Sequence, residues 1–234
     1  MLKAIIFDMD GVMIDSHPIH KRSWSLFLQS LGKTVSDDDL DFVREGTKRN
    51  DILRHFLGNL SDVQLHEYGL QKEALFRRQA ISIRPIPGFM EFIDRVTASG
   101  IRAALASSGS RTRVTYILGH LEAGRHFSAV VTGDDVRNGK PDPSIFRIAA
   151  ARLNVSPSHV VVFEDAVAGV QAAKAAGMRC IGVAEGARCD LLRSAGAEEV
   201  IPDFQGLMPD ALLGAFLSSQ ATAGLSATDS LRLP

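Results

Sequence analysis

The sequence predicts an α/β protein built on a doubly wound parallel sheet, and three observations support this prediction. Short apolar segments rich in β-branched residues alternate with segments of helical spacing, which is the order of repeated βαβ units. The apolar segments are nearly continuous, as expected for strands that are buried on both faces of the sheet. One long stretch, residues 15–84, breaks the alternation and predicts an inserted helical domain.

The alternating part of the chain is predicted to form the core domain, from residues 1–14 and 85–217. The predicted strands are residues 4–7, 102–106, 129–132, 160–163 and 180–183. Between them, segments rich in Ala, Leu and Ile have the length of crossover helices; these are residues 88–99, 143–153 and 166–176. Gly100 and Gly177 follow two of these segments and are typical helix stops.

The inserted segment, residues 15–84, is predicted to be an α-helical cap domain. Trp24, Phe27, Leu28 and Leu31 share one face of a first helix, and further helices are predicted at residues 37–43, 52–57 and 63–81. The chain returns to the core through Arg-Pro-Ile-Pro-Gly at residues 84–88, a stiff junction, so the two crossings are candidates for a hinge. Residues 218–234 show little periodicity and are predicted to be a tail.

Composition excludes several classes of function. The 234 residues are 45% hydrophobic and 23% charged, close to the average of globular proteins, and the net charge of −1 gives no electrostatic support for a nucleic-acid or membrane partner. No apolar run approaches the roughly 18 residues that span a bilayer, and no signal peptide is recognisable, so we expect a cytoplasmic protein. Cys180 and Cys189 have no zinc-ligand spacing. We expect a monomer or a weak homodimer.

Polar side chains follow the predicted strands at their carboxyl ends, where a sheet of this class binds its ligand. They are Asp8 and Asp10 after the first strand, Ser107 and Ser108 after the second, Lys140 after the third, and Glu164 and Asp165 after the fourth. Carboxylates brought together repel one another by roughly 4 kcal/mol per close pair at an effective dielectric near 20, so the cluster needs a cation. Oxygen ligands without His or Cys favour magnesium, Mg²⁺.

The same strand ends predict a phosphate ligand. Lys140 would neutralise an anion that shares the cation, while the Ser107 hydroxyl and the backbone amides of Ser108 and Gly109 would donate hydrogen bonds to its oxygens. Asp8 and Asp10 are two residues apart and are expected to point into one site. One of these carboxylates could attack phosphorus while the other transfers a proton.

Four segments, FDMDGVMIDS, ASSGS, GKPDP and EDAVAGV, resemble in this order the motifs of the haloacid dehalogenase-like (HAD) hydrolases, and within them the β-phosphoglucomutase and small-sugar phosphatase subgroup. The resemblance implies a Rossmann-like core with a helical cap inserted after the first strand. It implies Asp8 as nucleophile and metal ligand, and Asp10 as general acid and base that also binds the metal through its carbonyl. It further implies roles for four more residues: Asp165 as a metal ligand, Glu164 in or beside the metal shell, and Ser107 and Lys140 as phosphate binders.

In the predicted cap, His20 and Arg49 stand where the mutase also has His and Arg, and a guanidinium suits a second phosphate or sugar oxygens. Glu45 replaces a Lys of the mutase pattern, and Ser110-Arg111 replaces its Lys-Asn. We expect the acidic Glu45 to weaken binding of a bisphosphorylated intermediate.

The sequence therefore predicts a magnesium-dependent phosphatase that hydrolyses a small phosphorylated metabolite, a sugar phosphate or a phosphoglycolate-like compound, through an aspartyl-phosphate. Two alternatives stay open: a β-phosphoglucomutase-type isomerase, and a non-catalytic phosphate-binding scaffold of the receiver kind. A nucleotide-binding class is not predicted, because the glycines before Lys140 fail the P-loop spacing and no GxGxxG follows the first strand.

Overall fold

A single parallel sheet of six strands organises the computed structural model, which describes residues 2–210 and 212. The strands are β1 (Ala4–Phe7), β2 (Arg102–Ala106), β3 (Ala129–Val131), β4 (Val160–Glu164), β5 (Arg179–Val183) and β6 (Glu199–Ile201). Their order across the sheet is β3-β2-β1-β4-β5-β6, and every neighbouring pair is parallel. The predicted doubly wound α/β class is confirmed. The winding direction reverses between β1 and β4, and the crevice beyond their carboxyl ends is where such sheets bind ligands.

The described helices fall into two groups. Helices α1 (His17–Ser30), α2 (Arg49–Leu57) and α3 (Asp62–Gln79) lie between β1 and the rest of the core in sequence. The remaining helices accompany the later strands: α4 (Phe89–Ala98), α5 (Arg111–His120), α6 (Ser144–Leu153), α7 (Val167–Ala175) and α8 (Arg188–Ser194). Among the described helices, none combines the length and the apolar composition needed to cross a membrane.

Strand β1 is buried on both faces, as its continuous apolar sequence predicts. Side chains of successive strand residues point to opposite faces of the sheet. Ile5 and Phe7 therefore join the hydrophobic cluster that includes α4 and α5, whereas Ala4 and Ile6 join the cluster that includes α6 and α7. The central strand is thus fixed from both sides, and so is the residue that follows it.

Aromatic rings support the carboxyl ends of the two central strands. The Phe7 ring stacks on Phe163 with 5.3 Å between centroids and meets Phe89 edge to face at 5.3 Å. Phe92 and Phe204 pack against these rings, and all five are almost fully buried. Because Phe7 precedes Asp8 and Phe163 precedes Glu164, this packing limits the movement of both acidic residues.

Helices α1 to α3, to which we give the name cap, have a hydrophobic cluster of their own. It contains Trp24 and Phe27 of α1, Leu53 of α2 and Leu65 of α3. Ser61 begins α3 with a capping box, in which its side chain accepts the backbone N–H of Gln64. The division into core and cap at residues 14/15 and 84/85 stays a prediction, and the predicted tail lies outside the described residues.

The two chain segments that connect core and cap lie side by side. Ile14 and Pro85 form an antiparallel bridge. On either side of it, the backbone N–H of Asp15 donates to the carbonyl of Arg84, and that of Ile86 donates to the carbonyl of Met13, both at 3.0 Å. We call this paired segment the neck. It fixes the distance between the two crossings.

We expect Phe7→Ala to lower the free energy of unfolding by about 3 to 5 kcal/mol, because it removes the central ring of a fully packed aromatic cluster. Urea denaturation followed by circular dichroism measures this loss. Leu191→Ala, at a side chain that is 53% exposed, is the control and should change the same quantity by less than about 0.5 kcal/mol. Equal losses in the two variants would contradict the packing described above.

Candidate active site

A cavity of about 60 Å³ lies between the carboxyl ends of the central strands and the cap. Six residues predicted for the site line it: Asp8, Asp10, Ser108 and Asp165 from the core, and His20 and Arg49 from the cap. The other three predicted residues, Ser107, Lys140 and Glu164, are buried just behind its wall. The structure therefore brings the predicted residues together, while their chemical roles stay predictions.

The Lys140 ammonium sits between two carboxylates and is itself buried. Its Nζ lies 2.6 Å from Asp8 Oδ1 and also forms an ion pair with Glu164. Burial opposes the charge on Lys140, but the two carboxylates raise its pKa above the usual value. For Asp8, burial is the largest influence and raises its pKa well above the usual value; Lys140 counteracts this, and the carboxylates of Glu164, Asp10 and Asp165 add to it. A cationic Lys140 therefore lies beside the predicted nucleophile.

Both carboxylate oxygens of Glu164 form contacts within the protein. One oxygen pairs with Lys140, and the other accepts the backbone N–H groups of Asp165 and Ala166 at 2.9 and 3.0 Å, just before α7. Gly169 of α7 packs against this carboxylate so closely that a Cβ there would overlap it. Of the predicted positions for Glu164, in or beside a metal shell, the geometry supports the second, because its side chain does not line the cavity.

Asp10 is held by three side chains. Ser16 Oγ donates to Asp10 Oδ1 at 2.6 Å, His20 Nε2 lies 3.2 Å from the same oxygen, and Arg113 Nη2 lies 2.7 Å from Oδ2. Burial works to raise the pKa of Asp10, but the charge of Arg113 and the contacts with His20 hold it well below the usual value. The pKa values of Asp8 and Asp10, two residues apart, are therefore shifted in opposite directions.

Arg113 is a residue of this cavity that the sequence analysis missed. It lies in the first turn of α5, its guanidinium contacts both Asp10 and the His20 ring, and it lies 5.4 Å above the Phe76 ring. Its side chain is only 8% exposed. Its position three residues after the ASSGS motif, at the start of the next predicted helix, is the sequence signal that could have found it.

Lys72 is a second missed residue, on the cap side of the cavity. Its Nζ lies 3.0 Å from His20 Nδ1 and about 5 Å above the rings of Trp24 and Phe76. Burial, together with the charge of Arg113, lowers the pKa of Lys72 to about 7. Burial and the charges of these two cations hold the pKa of His20 well below its usual value, so the imidazole is neutral at neutral pH.

The loop after β2 carries the predicted phosphate-binding residues. Ser107 Oγ accepts the backbone N–H of Gly109 at 3.0 Å, which leaves the hydroxyl proton for another acceptor. Ser108 points the other way along the loop: its Oγ donates to the carbonyl of Gly46 in the cap at 2.6 Å. Ser108 thus joins cap and core, and only its backbone amide remains a candidate for phosphate binding.

Among the cap residues with a buried polar atom that has no partner in the described chain, Arg49 (Nε) and Glu73 (Oε1) stand beside the catalytic strand ends, whereas Arg77 (Nε) lies elsewhere on α3. Arg49 and Glu73 line the cavity. Glu45, in contrast, does not line it; its carboxylate pairs with Arg188 at 3.4 Å. This placement gives no support to the expectation that Glu45 acts on a second phosphate.

The donor set of the cavity fits a magnesium ion. Asp8, Asp10 and Asp165 line the same space. The carboxylates of Asp10 and Asp165 contribute to the raised pKa of Asp8, and a bound cation would offset this repulsion. Within residues 2–210 and 212, no three or more His, Cys, Asp or Glu side chains form a metal-binding group. Magnesium is usually held by one or two carboxylates and completes its shell with water and phosphate, so two carboxylates and a carbonyl suffice.

Comparisons with known proteins point to one family. The family model described as haloacid dehalogenase-like hydrolase matches residues 2–177. A Thermotoga maritima protein named phosphorylated carbohydrates phosphatase is 34% identical over 77% of this chain and 84% of its own length. The β-phosphoglucomutase of Bacillus subtilis is 31% identical over 79% and 84%. The crystal structure of a Clostridium difficile β-phosphoglucomutase has a TM-score of 0.84 at 23% identity, over 94% of this chain and 100% of the other, and shows the fold.

The lowered pKa of Lys72 predicts a pH dependence of stability. The folded protein releases the Lys72 proton near pH 7, whereas the unfolded chain keeps it to about pH 10.5. Between these values the unfolded state binds more protons, so stability rises with pH by up to about 1.4 kcal/mol per pH unit. We expect Lys72→Met to remove this contribution.

The measurement is the free energy of unfolding in urea at pH 7, 8 and 9 for the wild type, Lys72→Met and a control, Lys33→Met. Lys33 is exposed, so its replacement should leave the slope against pH unchanged. The same slope in Lys72→Met and in the wild type would show that Lys72 keeps its proton in the folded protein.

Proposed function

This chain belongs to the haloacid dehalogenase-like hydrolase family, and from this premise we propose that it is a magnesium-dependent phosphatase of a small phosphorylated metabolite, a sugar phosphate or a phosphoglycolate-like compound. The observation that carries the proposal is the pair of aspartates after β1, of which Asp8 lies against the buried Lys140 and Asp10 against Arg113. The relative named as a phosphatase of phosphorylated carbohydrates supports it. We expect the enzyme to act in the cytoplasm as a monomer or weak homodimer.

The first step is attack of an Asp8 carboxylate oxygen on phosphorus. The new bond forms an aspartyl-phosphate, and the bond between phosphorus and the leaving oxygen breaks. Lys140, 2.6 Å from Asp8, offsets the repulsion between this carboxylate and the incoming phosphate. The Ser107 hydroxyl and the backbone amide of Ser108 bind the remaining phosphate oxygens, while the Gly109 amide orients the Ser107 hydroxyl. Asp8, Asp165 and the Asp10 carbonyl would hold a magnesium ion, which would supply further charge neutralisation.

Asp10 transfers the proton in both halves of the reaction. In the second half, its carboxylate takes a proton from the water that attacks phosphorus, and the low pKa imposed by Arg113 and His20 favours this ionised form. The bond between phosphorus and the Asp8 oxygen breaks, which releases inorganic phosphate and restores the Asp8 carboxylate. In the first half Asp10 must give a proton to the leaving oxygen. For this, Arg113 has to withdraw from Asp10 when the substrate is bound.

The small cavity indicates that the cap moves when substrate binds. Its volume is about 60 Å³, whereas pockets for small organic ligands measure roughly 300 to 1,000 Å³. A sugar phosphate therefore binds only when the cap moves away from the core. Movement about the neck would separate Ser108 from Gly46 and open the space in front of Asp8. Arg49, with a buried Nε that lacks a partner in the described chain, is the cap residue we assign to the sugar hydroxyls or a second anionic group.

The relative named β-phosphoglucomutase favours a second candidate, intramolecular phosphoryl transfer between sugar hydroxyls. The two reactions share the aspartyl-phosphate and differ in its acceptor, water or a sugar. A mixture of glucose 1-phosphate, enzyme and a trace of the bisphosphate distinguishes them. Phosphate release faster than isomerisation supports the phosphatase, and the opposite order would establish the mutase.

The proposal is tested with a panel of phosphorylated sugars, phosphoglycolate and nucleotides in the presence of Mg²⁺. We expect phosphate release from one or more of the sugar phosphates or from phosphoglycolate. Chelation of the cation should abolish the reaction, because the carboxylates then repel the incoming phosphate without a positive charge between them. Added Mg²⁺ should restore the activity, and Zn²⁺ should do so poorly. Absence of turnover across the panel would favour a non-catalytic scaffold.

We expect Asp8→Asn to reduce turnover below a few per cent of the wild type, because an amide does not replace a carboxylate as nucleophile. Phosphate release measures the loss, and circular dichroism checks that the fold is retained. Asp190→Asn, at an exposed side chain of α8, is the control with the same chemical change and should keep full activity. Survival of activity in Asp8→Asn would remove the covalent step from the proposal.

A further inference from the structure

The geometry points to His17 as a positioning residue of the cation site: it holds the carboxylate of Asp165 in the orientation needed to bind a divalent cation. None of the four family motifs includes His17, which directly follows the first of them, FDMDGVMIDS. The inference rests on the proposed function, because Asp165 binds a cation only if the enzyme uses one. Its experiment therefore measures cation binding directly.

The Asp165 carboxylate has fewer hydrogen-bond partners than those of the other two aspartates that line the cavity, Asp8 and Asp10. Asp8 contacts Lys140 and the backbone N–H of Asp10, and Asp10 itself contacts three side chains. The Asp165 carboxylate has one hydrogen-bond partner among the described residues, His17 Nε2 at 2.7 Å from Oδ2. Without that ring, nothing described in the structure fixes the torsion angles of this carboxylate.

The contact is part of the packed interior. The side chains of His17 and Asp165 are 17% and 9% exposed, and both lie directly against the backbone at Gly11. A Cβ at Gly11 would overlap His17 Nε2 and the Asp165 carboxylate. The backbone there has φ of +75°, which glycine adopts without strain. The missing side chain at Gly11 thus provides the space in which the ring and the carboxylate meet.

His17 and Asp165 also form the wall between two cavities. A second cavity of about 340 Å³ lies on the far side, beside the ends of β5 and β6, and these are the two residues that line both cavities. Replacing the ring by a small side chain would connect the catalytic cavity with the outer one. Two effects must therefore be separated in a test: loss of the hydrogen bond and loss of the wall.

The hydrogen bond leaves Asp165 able to bind a cation. An ionised carboxylate has about four lone-pair positions, and His17 occupies one of them. Hydrogen bonds to metal-binding carboxylates orient them, and removing such a partner usually weakens metal affinity about 10- to 100-fold. His17 is the first residue of α1, so the contact also links the cap to the cation site in the core.

The test compares Mn²⁺ binding to the wild type, His17→Phe, His17→Leu and His17→Gln by isothermal titration calorimetry and electron paramagnetic resonance. Phe keeps the bulk of the ring without a donor, Leu keeps part of it, and Gln keeps an N–H donor at a similar reach. We expect Phe and Leu to weaken Mn²⁺ binding about 10- to 100-fold and Gln to stay within about threefold of the wild type. At saturating Mg²⁺, kcat of all three should approach that of the wild type.

Asp165→Asn is the reference for loss of the cation ligand and should bind Mn²⁺ more weakly than any His17 variant. Unchanged or tighter binding in both His17→Phe and His17→Leu, with binding intact in the wild type, would overturn the positioning role alone. Weak binding in His17→Gln equal to that in His17→Phe would also overturn it, because the donor would then not matter. A wild type that binds no Mn²⁺ or Mg²⁺ would overturn the cation requirement of the proposed function as well.

Discussion

The buried ion pair of Lys140 with Asp8 and Glu164 is the constraint on which the site depends. Removing an ammonium and two carboxylates from water is costly unless they remain paired, so the three groups must meet in one geometry. The sheet provides this geometry, because Asp8 follows β1 and Glu164 ends β4, its hydrogen-bonded neighbour. The aromatic rings of Phe7 and Phe163 beneath them keep the two strand ends from separating.

The two aspartates after β1 show how neighbouring carboxylates acquire different properties. Burial and neighbouring carboxylates raise the pKa of Asp8, whereas Arg113 and His20 lower the pKa of Asp10. Environments that push the pKa values of two acids apart are a general means of dividing nucleophilic and proton-transfer work between them. Here the pKa values diverge because the two residues after β1 meet different neighbours: Asp8 meets Lys140 and Glu164, and Asp10 meets Arg113 and His20.

Fold class and the strand-end residues could be predicted because both depend on local patterns. Continuous apolar runs identify strands buried on two faces, and parallel strands collect their carboxyl ends at one edge. Strand β6 escaped prediction because it has only three residues, which are half-buried or exposed. Arg113, Lys72 and His17 escaped it for another reason. Their contacts join helices that are distant in sequence, and no spacing rule relates Lys72 to His20 or His17 to Asp165.

The neck, with its bridge between Ile14 and Pro85, has a consequence for how such enzymes diversify. Because the chain leaves and rejoins the core at adjacent points, the insert closes on itself and its ends need no new path. A segment of another length or architecture can be grafted between these points while β1 and α4 keep their positions. The inserted segment can then change during evolution while the residues that follow β1 and end β4 keep their places.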